Sequence, residues 1–530
     1  MAISTSISRV SNANIDALVG DAKWAANNLT YSFPISGGAY GSAYGDGEHT
    51  NNFGVLSANQ QATARAAFAQ YSSVANLTFT ELSGPAAAGA DLRLGLTDTV
   101  DTAWAYFPAT NPEGGDVWFN RSSGAYNFPQ KGNYAYATTL HEIGHALGLE
   151  HPHESGIGEA ALQSMAQSVM SYRSYDGAST TTGYTNEIWG YAQTPMVHDI
   201  AALQHMYGAN FATQSGDTTY TWSASTGEQF INGVGQGAPG GNRVFQSLWD
   251  GGGNDTYDLS NYGGGVQINL TPGAWTTTSS VQRAYLGDGH YAEGNIANTL
   301  LSNGDTRSLI ENAIGGAGND QITGNQTNNV LRGNAGDDTI FSGLGDDIAE
   351  GGAGRDQLFG GQGNDKLFGG DHADALYGAA GDDLGVGGLG DDQIYGAAGR
   401  DTLHGEGGND LLSGLRDDDQ LFGGDGADTI WSGAGSDVAR GGAGNDQIYG
   451  GLNDDVLYGE TGADTFVFDL TSGVDQVMDF SFAEGDRLSI GGQNYMVRDT
   501  AEGMAIDLSG GGIVVLHGID PDQFSQSFFV

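Results

Sequence analysis

Cysteine is absent from this chain of 530 residues, and proline and long apolar runs are scarce. Without cysteine there is no disulfide framework, no thiol nucleophile and no zinc site with cysteine ligands. The 89 glycines follow no G-x-y period and the prolines number only 10, which excludes a collagen. Because no run of 18 apolar residues occurs, the sequence predicts no membrane span.

Basic residues are also few: 18 Lys and Arg stand against 64 Asp and Glu, a formal net charge of −46. This charge would repel a phosphate backbone, so no nucleic-acid partner is predicted. The apolar content of 38% argues against general disorder, and the length favours several domains. The first 19 residues contain no apolar stretch of the kind that a cleaved export signal needs.

A nine-residue repeat holds much of the glycine and of the acid. It runs from Gly315 to Val467 as 17 copies without slippage, and position six is Asp in every copy except one, which has Asn329. Glycine permits tight turns with positive φ, and the turn carbonyls together with the Asp offer hard oxygen ligands suited to Ca²⁺. Positions seven to nine form a short strand, so two copies make one coil and the array makes about 8.5 coils.

The repeat resembles the G-G-x-G-x-D-x-U-x nonapeptides of RTX proteins, which implies a parallel β-roll stacked on Ca²⁺. A flexible glycine linker would have no reason to keep Asp in register. Four copies have Thr327, His372, Asp417 or Asn453 in place of the glycine at position four, and weak or no calcium binding is expected there. The predicted ligands are Asp320, Asp338, Asp347, Asp356, Asp365, Asp383, Asp392, Asp401, Asp410, Asp428, Asp437, Asp446 and Asp464.

A second motif reads HEIGHALGLEH from His141 to His151. On a helix, His141 and His145 project from one face, and Gly148 can end the helix so that His151 returns as a third ligand. Three neutral imidazoles suit a tetrahedral Zn²⁺ with one open position, and Glu142 can accept a proton from a water that zinc activates. A lone His is usually structural, but this triplet in register with Glu and Gly predicts a catalytic zinc site.

The same motif looks like the metzincin zinc signature. Members of that family carry a Met-containing turn beneath the zinc, and the string SVMSY implies this place for Met170. In the serralysin subgroup the Tyr two residues later reaches the zinc and helps to stabilise the oxyanion. The resemblance therefore implies that Tyr172 is a further zinc ligand and a catalytic residue, although Met-Ser-Tyr alone would be a weak signal.

Other segments also resemble serralysins. Residues 198–210 are similar to the helix that closes their protease domain, and residues 248–262, with Asp255, are similar to a calcium-binding segment. In that family a strand before the zinc helix pairs with extended substrate. The resemblance implies this role for Ala103, Trp104, Ala105, Tyr106 and Phe107.

The fold class implied is an α+β metzincin-like protease domain followed by an all-β domain that contains a parallel β-roll. Ser57 is predicted to cap a helix from Ala58 to Tyr71. We expect five segments: 1–16, loose and a candidate propeptide; 17–212, zinc protease domain; 213–314, β-rich connection; 315–467, calcium-binding roll; and 468–530, β-rich with a type I secretion signal.

The leading hypothesis is a secreted zinc-dependent endopeptidase of the serralysin type, with one catalytic Zn²⁺ and several structural Ca²⁺. We expect a monomer outside the cell that carried no cleaved N-terminal signal. Its expected partners are protein or peptide substrates, type I secretion machinery and, as a further candidate, a proteinaceous inhibitor. The alternatives are a non-catalytic calcium-binding adhesin or surface-layer protein and a polysaccharide-modifying RTX enzyme. The complete zinc motif argues against both.

Overall fold

Residues 3–42, 44–154, 164–468 and 473–530 are described by the computed structural model. They fall into two units: Met1–Tyr257 with Leu270–Ile310, and Asp258–Asn269 with Glu311–Val530. The strand Thr256–Asp258 lies where the chain passes from one unit to the other. The five segment boundaries expected from the sequence remain predictions.

The described part of the first unit contains four α-helices: α1 Ala13–Asp16, α2 Ala58–Val74, α3 Tyr134–Ala146 and α4 Val197–Tyr207. The side chain of Ser57 accepts the backbone N–H of Gln60 and begins α2 as predicted, although the helix continues three residues further than expected. Helices α2, α3 and α4 share one hydrophobic core with the sheet of this unit. Among the described residues, no helix is long and apolar enough to cross a membrane.

The main sheet of the first unit has five strands in the order Thr78–Leu82, Asn28–Ser32, Leu92–Thr97, Val117–Asn120 and Ala103–Ala105. Its pairings are parallel except the last, which is antiparallel with Trp104 opposite Trp118. The remaining strands are Ser4–Ser6, Ala22–Trp24, Thr219–Trp222, Gln229–Ile231, Val234–Gly235, Gln246–Leu248, Trp275–Thr276, Tyr285–Gly287, His290–Tyr291 and Ile296–Asn298.

The N-terminal segment is tied into the first unit, contrary to the expectation that residues 1–16 are loose. Ser4–Ser6 pairs antiparallel with Ala22–Trp24. The buried carboxylate of Asp16 accepts the backbone N–H groups of Val10 and Ser11, which holds the chain before α1. The expectation was wrong for residues 3–16 because a polar composition does not reveal such a pairing, while the propeptide role stays a prediction.

The second unit contains the predicted parallel β-roll. One sheet has 11 strands: Gln267–Asn269, Gln321–Thr323, Thr339–Leu344, Gln357–Gln362, Ala375–Ala380, Gln393–Ala398, Leu411–Arg416, Thr429–Ala434, Gln447–Leu452, Thr465–Val467 and Arg487–Ser489. The facing strands are Asn312–Ile314, Val330–Ala335, Ile348–Ala353, Lys366–Asp371, Leu384–Leu389, Thr402–Gly407, Gln420–Asp425, Val438–Ala443, Val456–Thr461 and Val474–Val477.

Neighbouring strands of the repeats lie 18 residues apart, for example Val330 opposite Ile348. The roll has about 10 turns, longer than the 8.5 expected, because strands outside the repeats extend both sheets. Three further strands follow as an antiparallel meander: Tyr495–Asp499, Gly503–Leu508 and Ile513–His517. The residue at position eight of each repeat, which is the second residue of its strand, points inward, and Leu358, Ile394 and Ile448 are no more than 1% exposed.

Candidate active site

Three imidazoles meet at the C-terminal end of α3. His141 and His145 lie one turn apart on the helix, and the chain returns His151 after Gly148, whose φ of +105° favours glycine. The three Nε2 atoms are 2.9–3.1 Å from one another. Zn–N bonds of about 2.0–2.1 Å can reach all three from one point, so this triad could bind zinc.

Backbone carbonyls fix the orientation of the first two rings. Nδ1 of His141 donates to the carbonyl of Val169 at 2.8 Å, and Nδ1 of His145 donates to that of Leu149 at 2.7 Å. A carbonyl can only accept, so each ring carries its proton on Nδ1. The lone pair of each Nε2 is therefore directed at the common point.

Burial keeps the rings neutral. It lowers the pKa of His141 to about 3 and holds the pKa of His145 well below its ordinary value, and neighbouring imidazoles act in the same sense. The pKa of His151 is also lowered by burial, although a carboxylate oxygen of Glu154 lies 3.1 Å from its Nδ1. Neutral imidazoles are the form that binds a metal.

Glu142 follows the first imidazole and is 5% exposed. Its Oε2 is buried and has no hydrogen-bond partner in the part of the chain that the structure describes. Burial raises the pKa of Glu142 to about 8. Such an unpartnered oxygen beside three metal-binding nitrogens fits a group that exchanges protons with a water or substrate at the metal.

Met170 is fully buried beneath α3. A Cβ atom on Gly144 would come within 2.7 Å of the sulfur of Met170, so the helix can pack this closely only because position 144 is glycine. The predicted position of the Met turn therefore agrees with the packing. Its role in activity stays a prediction.

A buried carboxylate that the sequence analysis did not identify supports this turn. Asp199 of α4 is fully buried and accepts the hydroxyl of Ser168 and the backbone N–H groups of Val169 and Met196. Val169 in turn supplies the carbonyl that holds His141. The only sequence signal was that Asp199 lies within the predicted segment 198–210.

The ring of Tyr172 lies over the triad, with its centroid 4.3 Å from that of His151 and 5.6 Å from that of His141. Burial, with a contribution from Glu142, raises the pKa of Tyr172 to about 12. The phenol is therefore protonated at neutral pH and can donate a hydrogen bond. Its assignment as a zinc ligand remains a prediction.

The predicted substrate strand, residues 103–107, is a strand only at Ala103–Ala105. It occupies the edge of the main sheet, so one side of its backbone has no neighbouring strand among the described residues. Tyr106 and Phe107 lie beyond its end, where the ring of Phe107 is 5.2 Å from that of His145. The placement beside the triad agrees with the prediction, and the pairing with substrate is untested.

A cavity of about 450 Å³ lies beside Glu142 and Ala103. Its wall includes the aromatic side chains of Tyr134, Tyr184 and Tyr191. Tyr134 begins the zinc helix, but the other two lie in loops after the Met turn. No sequence pattern marked them, because loop packing brings them to the cavity.

The repeat aspartates form two buried rows in the second unit. Each is at most 4% exposed, and its Oδ1 accepts a backbone N–H from an earlier part of the roll. The donor is usually the aspartate one coil earlier, as when Asp356 accepts from Asp338 at 2.8 Å, but Asp320 accepts from Val266 and Asp347 from Asn329. The other oxygen, Oδ2, is buried without a partner among the described residues from Asp338 onward. Burial raises the pKa of Asp338, Asp347 and Asp410 to about 7. Rows of unpartnered carboxylate oxygens fit bound Ca²⁺.

Three aspartates left out of the prediction share this geometry. Asp374, Asp419 and Asp455 each accept a backbone N–H and keep a buried, unpartnered Oδ2. Three of the four replacements for glycine, His372, Asp417 and Asn453, still adopt the positive φ of the turn, with φ of +82° at His372, whereas Thr327 does not. Asp255 lies apart from the rows, in the first unit, and accepts the N–H of Thr218.

The fold and the site together define a metallopeptidase-type centre joined to calcium-binding repeats. Residues 47–176 match the family model of matrixins, and residues 314–349, 350–385, 380–412, 404–439 and 431–466 match that of the RTX calcium-binding nonapeptide repeat. The first match implies a catalytic zinc ion and the second implies calcium. The predicted fold class, with a β-roll after the metzincin-like domain, is confirmed.

Several characterised metallopeptidases are similar to this chain. Metallopeptidase AprA of Pseudomonas marginalis is 34% identical over 56% of the chain and 60% of its own length. Serralysin C of Dickeya chrysanthemi is 36% identical over 56% and 58%, and serralysin of Proteus mirabilis 33% over 56% and 59%. The chain thus spans about three fifths of the length of these relatives. In its matrixin match, its RTX repeats and these relatives, the chain is similar to serralysin-type metalloproteases.

Proposed function

We propose that this protein is a zinc-dependent endopeptidase that acts on extracellular proteins and that calcium stabilises its RTX unit. The observation that carries the proposal is the triad of Nε2 atoms beside the buried, unpartnered Oε2 of Glu142. Neither a calcium-binding adhesin nor a polysaccharide-modifying enzyme would need that arrangement, and no observation favours those alternatives.

His141, His145 and His151 would hold the zinc, and Tyr172 would complete the site when no substrate is bound. Zinc, when bound, supplies a Lewis acid that polarises a carbonyl and makes water nucleophilic near neutral pH. Glu142 accepts the proton of the attacking water and passes it to the leaving amine, a transfer that its raised pKa favours. Tyr172 donates a hydrogen bond to the oxyanion as it develops.

Substrate would bind as an added strand along Ala103–Ala105, because that sheet edge lies next to the triad. The aromatic cavity beside Glu142 would then receive one substrate side chain, and its volume of about 450 Å³ accommodates a large apolar one. Ala103 belongs both to the edge strand and to the cavity wall, which places the main-chain and side-chain contacts together.

The position-six aspartates, with Asp374, Asp419 and Asp455 included, would bind Ca²⁺ through their unpartnered oxygens. In a calcium-poor cytoplasm these carboxylates repel one another, so the roll would stay unfolded for export by type I machinery and fold outside. Secreted relatives with RTX repeats suggest the extracellular location. Export without a cleaved signal, a monomeric state and a proteinaceous inhibitor belong to the same proposal.

The test is casein hydrolysis by the full chain and by the Glu142→Gln variant, each with zinc and calcium supplied. Loss of the general base should lower turnover about 10²–10⁴-fold, while circular dichroism stays unchanged. Glu150→Gln, another partly buried glutamate of the same segment that does not line the cavity, is the matched control. Full activity of Glu142→Gln would refute the mechanism. An inactive wild-type protein that still binds calcium would favour the non-catalytic alternative.

A further inference from the structure

A second cavity lies within the first unit and shares no lining residue with the cavity beside Glu142. Its volume is about 380 Å³, within the size range of small-molecule sites. One wall comes from α2 and another from the start of α3, and further lining residues come from α4, from loops, and from strands that include Gln229–Ile231 and Gln246–Leu248. Nothing in the proposed peptidase mechanism uses this space.

Two carboxamides in the cavity wall have unused hydrogen-bonding capacity. Gln246 is only 3% exposed, yet its side chain makes no hydrogen bond within the described part of the chain. Gln70 donates to the hydroxyl of Tyr136 and to the carbonyl of Gln193, while its buried Oε1 has no partner there. An unpaired buried acceptor such as Oε1 of Gln70 destabilises the folded protein. A ligand with N–H donors would remove that destabilisation.

The cavity also holds a cation that lacks an acidic partner. The ammonium group of Lys131 donates to the carbonyl of Gln236 at 3.2 Å, and no carboxylate of the described residues lies within ion-pair distance. Burial lowers the pKa of Lys131, against a smaller opposite effect of Glu228. In a chain with 64 acidic residues, a half-buried lysine without a carboxylate is an unmet requirement for an anion.

The wall also has an apolar part, with Ile200, Ile231 and Trp249 among its members. We propose that this cavity binds a short peptide through its free C-terminal carboxylate. Lys131 pairs with the carboxylate, the oxygens of Gln70 and Gln246 accept peptide N–H groups, and the apolar wall contacts an aliphatic side chain. An acceptor alone, such as inorganic phosphate, would leave the glutamine oxygens unpaired.

A peptide bound in this cavity would lie next to the N-terminal end of α3, the helix that carries His141 and His145. Tyr136 lies in the first turn of α3, five residues before His141, and its hydroxyl already receives the hydrogen bond of Gln70. Lys131 precedes the same helix by three residues. An occupant therefore stabilises the N-terminal end of the helix that carries two of the triad imidazoles.

The experiment is isothermal titration of the dipeptide Gly-Leu into the full-length, calcium-loaded Glu142→Gln protein, which does not turn over peptides. We expect one equivalent to bind and Lys131→Gln to weaken its affinity at least about tenfold. Lys23→Gln is the matched control, since Lys23 is also half-buried with a lowered pKa and donates to the carbonyl of Met206 elsewhere in the unit. It should bind Gly-Leu as the parent does.

Gly-Leu amide, which lacks the carboxylate, should bind at least tenfold more weakly than Gly-Leu to the parent protein. Gln246→Ala should also weaken binding, and it serves if Lys131→Gln does not fold. Equal affinity of the acid and the amide, an unchanged affinity in both variants, or no binding to the parent would each overturn the proposal. Binding of glucose in place of the dipeptide would reassign the cavity to neutral polyols. None of these results depends on whether the protein hydrolyses proteins.

Discussion

The imidazole triad and the aspartate rows both have the ligand chemistry of metal sites. They differ in whether their polar groups are satisfied when no metal is bound. The rings of His141 and His145 are neutral, and their Nδ1 atoms are satisfied by backbone carbonyls. From Asp338 onward, each repeat aspartate keeps one buried oxygen without a partner among the described residues, and Asp338 itself faces other carboxylates along its row. The triad is therefore stable as an empty site, whereas the rows need protons or cations to fold.

The largest expected effect comes from removing each metal separately. A zinc chelator should abolish casein hydrolysis and leave the far-ultraviolet circular dichroism spectrum unchanged. A calcium chelator should remove most β-structure of the second unit, because its buried carboxylates are then uncompensated. Loss of structure on zinc removal would contradict the stability of the empty triad. An unchanged spectrum after calcium removal would contradict the need of the aspartate rows for a cation.

Tyr172→Phe tests whether the triad acts alone. Removing one donor to a developing oxyanion should lower kcat up to about 100-fold and change KM little, because the contact matters mainly in the transition state. The midpoint of thermal unfolding should not change, since the side chain of Tyr172 is 37% exposed. Steady-state kinetics measures the effect, and an unchanged kcat would remove Tyr172 from the mechanism.

Asp199→Asn tests the support behind the triad. A neutral amide holds the N–H of Val169 less well, so His141 loses part of its orientation and zinc affinity should fall about tenfold. A chelator-competition titration measures this. Asp91→Asn is the control, because Asp91 is another buried aspartate that accepts a backbone N–H, that of Thr30, away from the triad. An equal loss in both variants would indicate general destabilisation.

The smallest effect concerns pH and the roll. The pKa of Asp338 rises from 3.8 to about 7 in the folded, calcium-free roll. Between those values the folded state keeps a proton that the unfolded chain has released, so stability is present below pH 3.8 and declines as pH rises to about 7. The unfolded chain and the calcium-loaded roll are both ionised above pH 6, and protons stabilise only the folded, calcium-free roll. The calcium concentration for half-maximal folding should therefore rise from pH 6 and level off above about pH 7. A requirement that falls as pH rises would contradict this.

Most of the features that could be predicted from the sequence depend on the spacing of residues that are close together in the chain. The pattern around His141 predicted the helix, its end at Gly148 and the return of His151, because all three depend on neighbouring residues. The nine-residue period predicted the coils in the same way. Asp199, Tyr184 and the cavity around Lys131 escaped prediction, because each depends on segments that meet only after folding.

The glycine at position four was too strict a criterion for the aspartate rows. Asp417 and Asn453 adopt φ of +72° and +81°, a conformation that Asp and Asn tolerate better than most residues. The turn is thus preserved, and Asp419 and Asp455 reach the same buried positions as their neighbours. Residue type at one position predicted geometry less well than the period itself.

The aspartate rows also have a direction. A turn's backbone N–H is satisfied by the carboxylate of the coil that follows it, and the last two repeat aspartates rely on Asp475 and Asp486, which lie after the periodic pattern has ended. The hydrogen bonding of each coil is thus completed by residues that come later in the sequence. The periodic pattern stops at Val467, but the stack that it builds is finished only by residues with no repeat of their own.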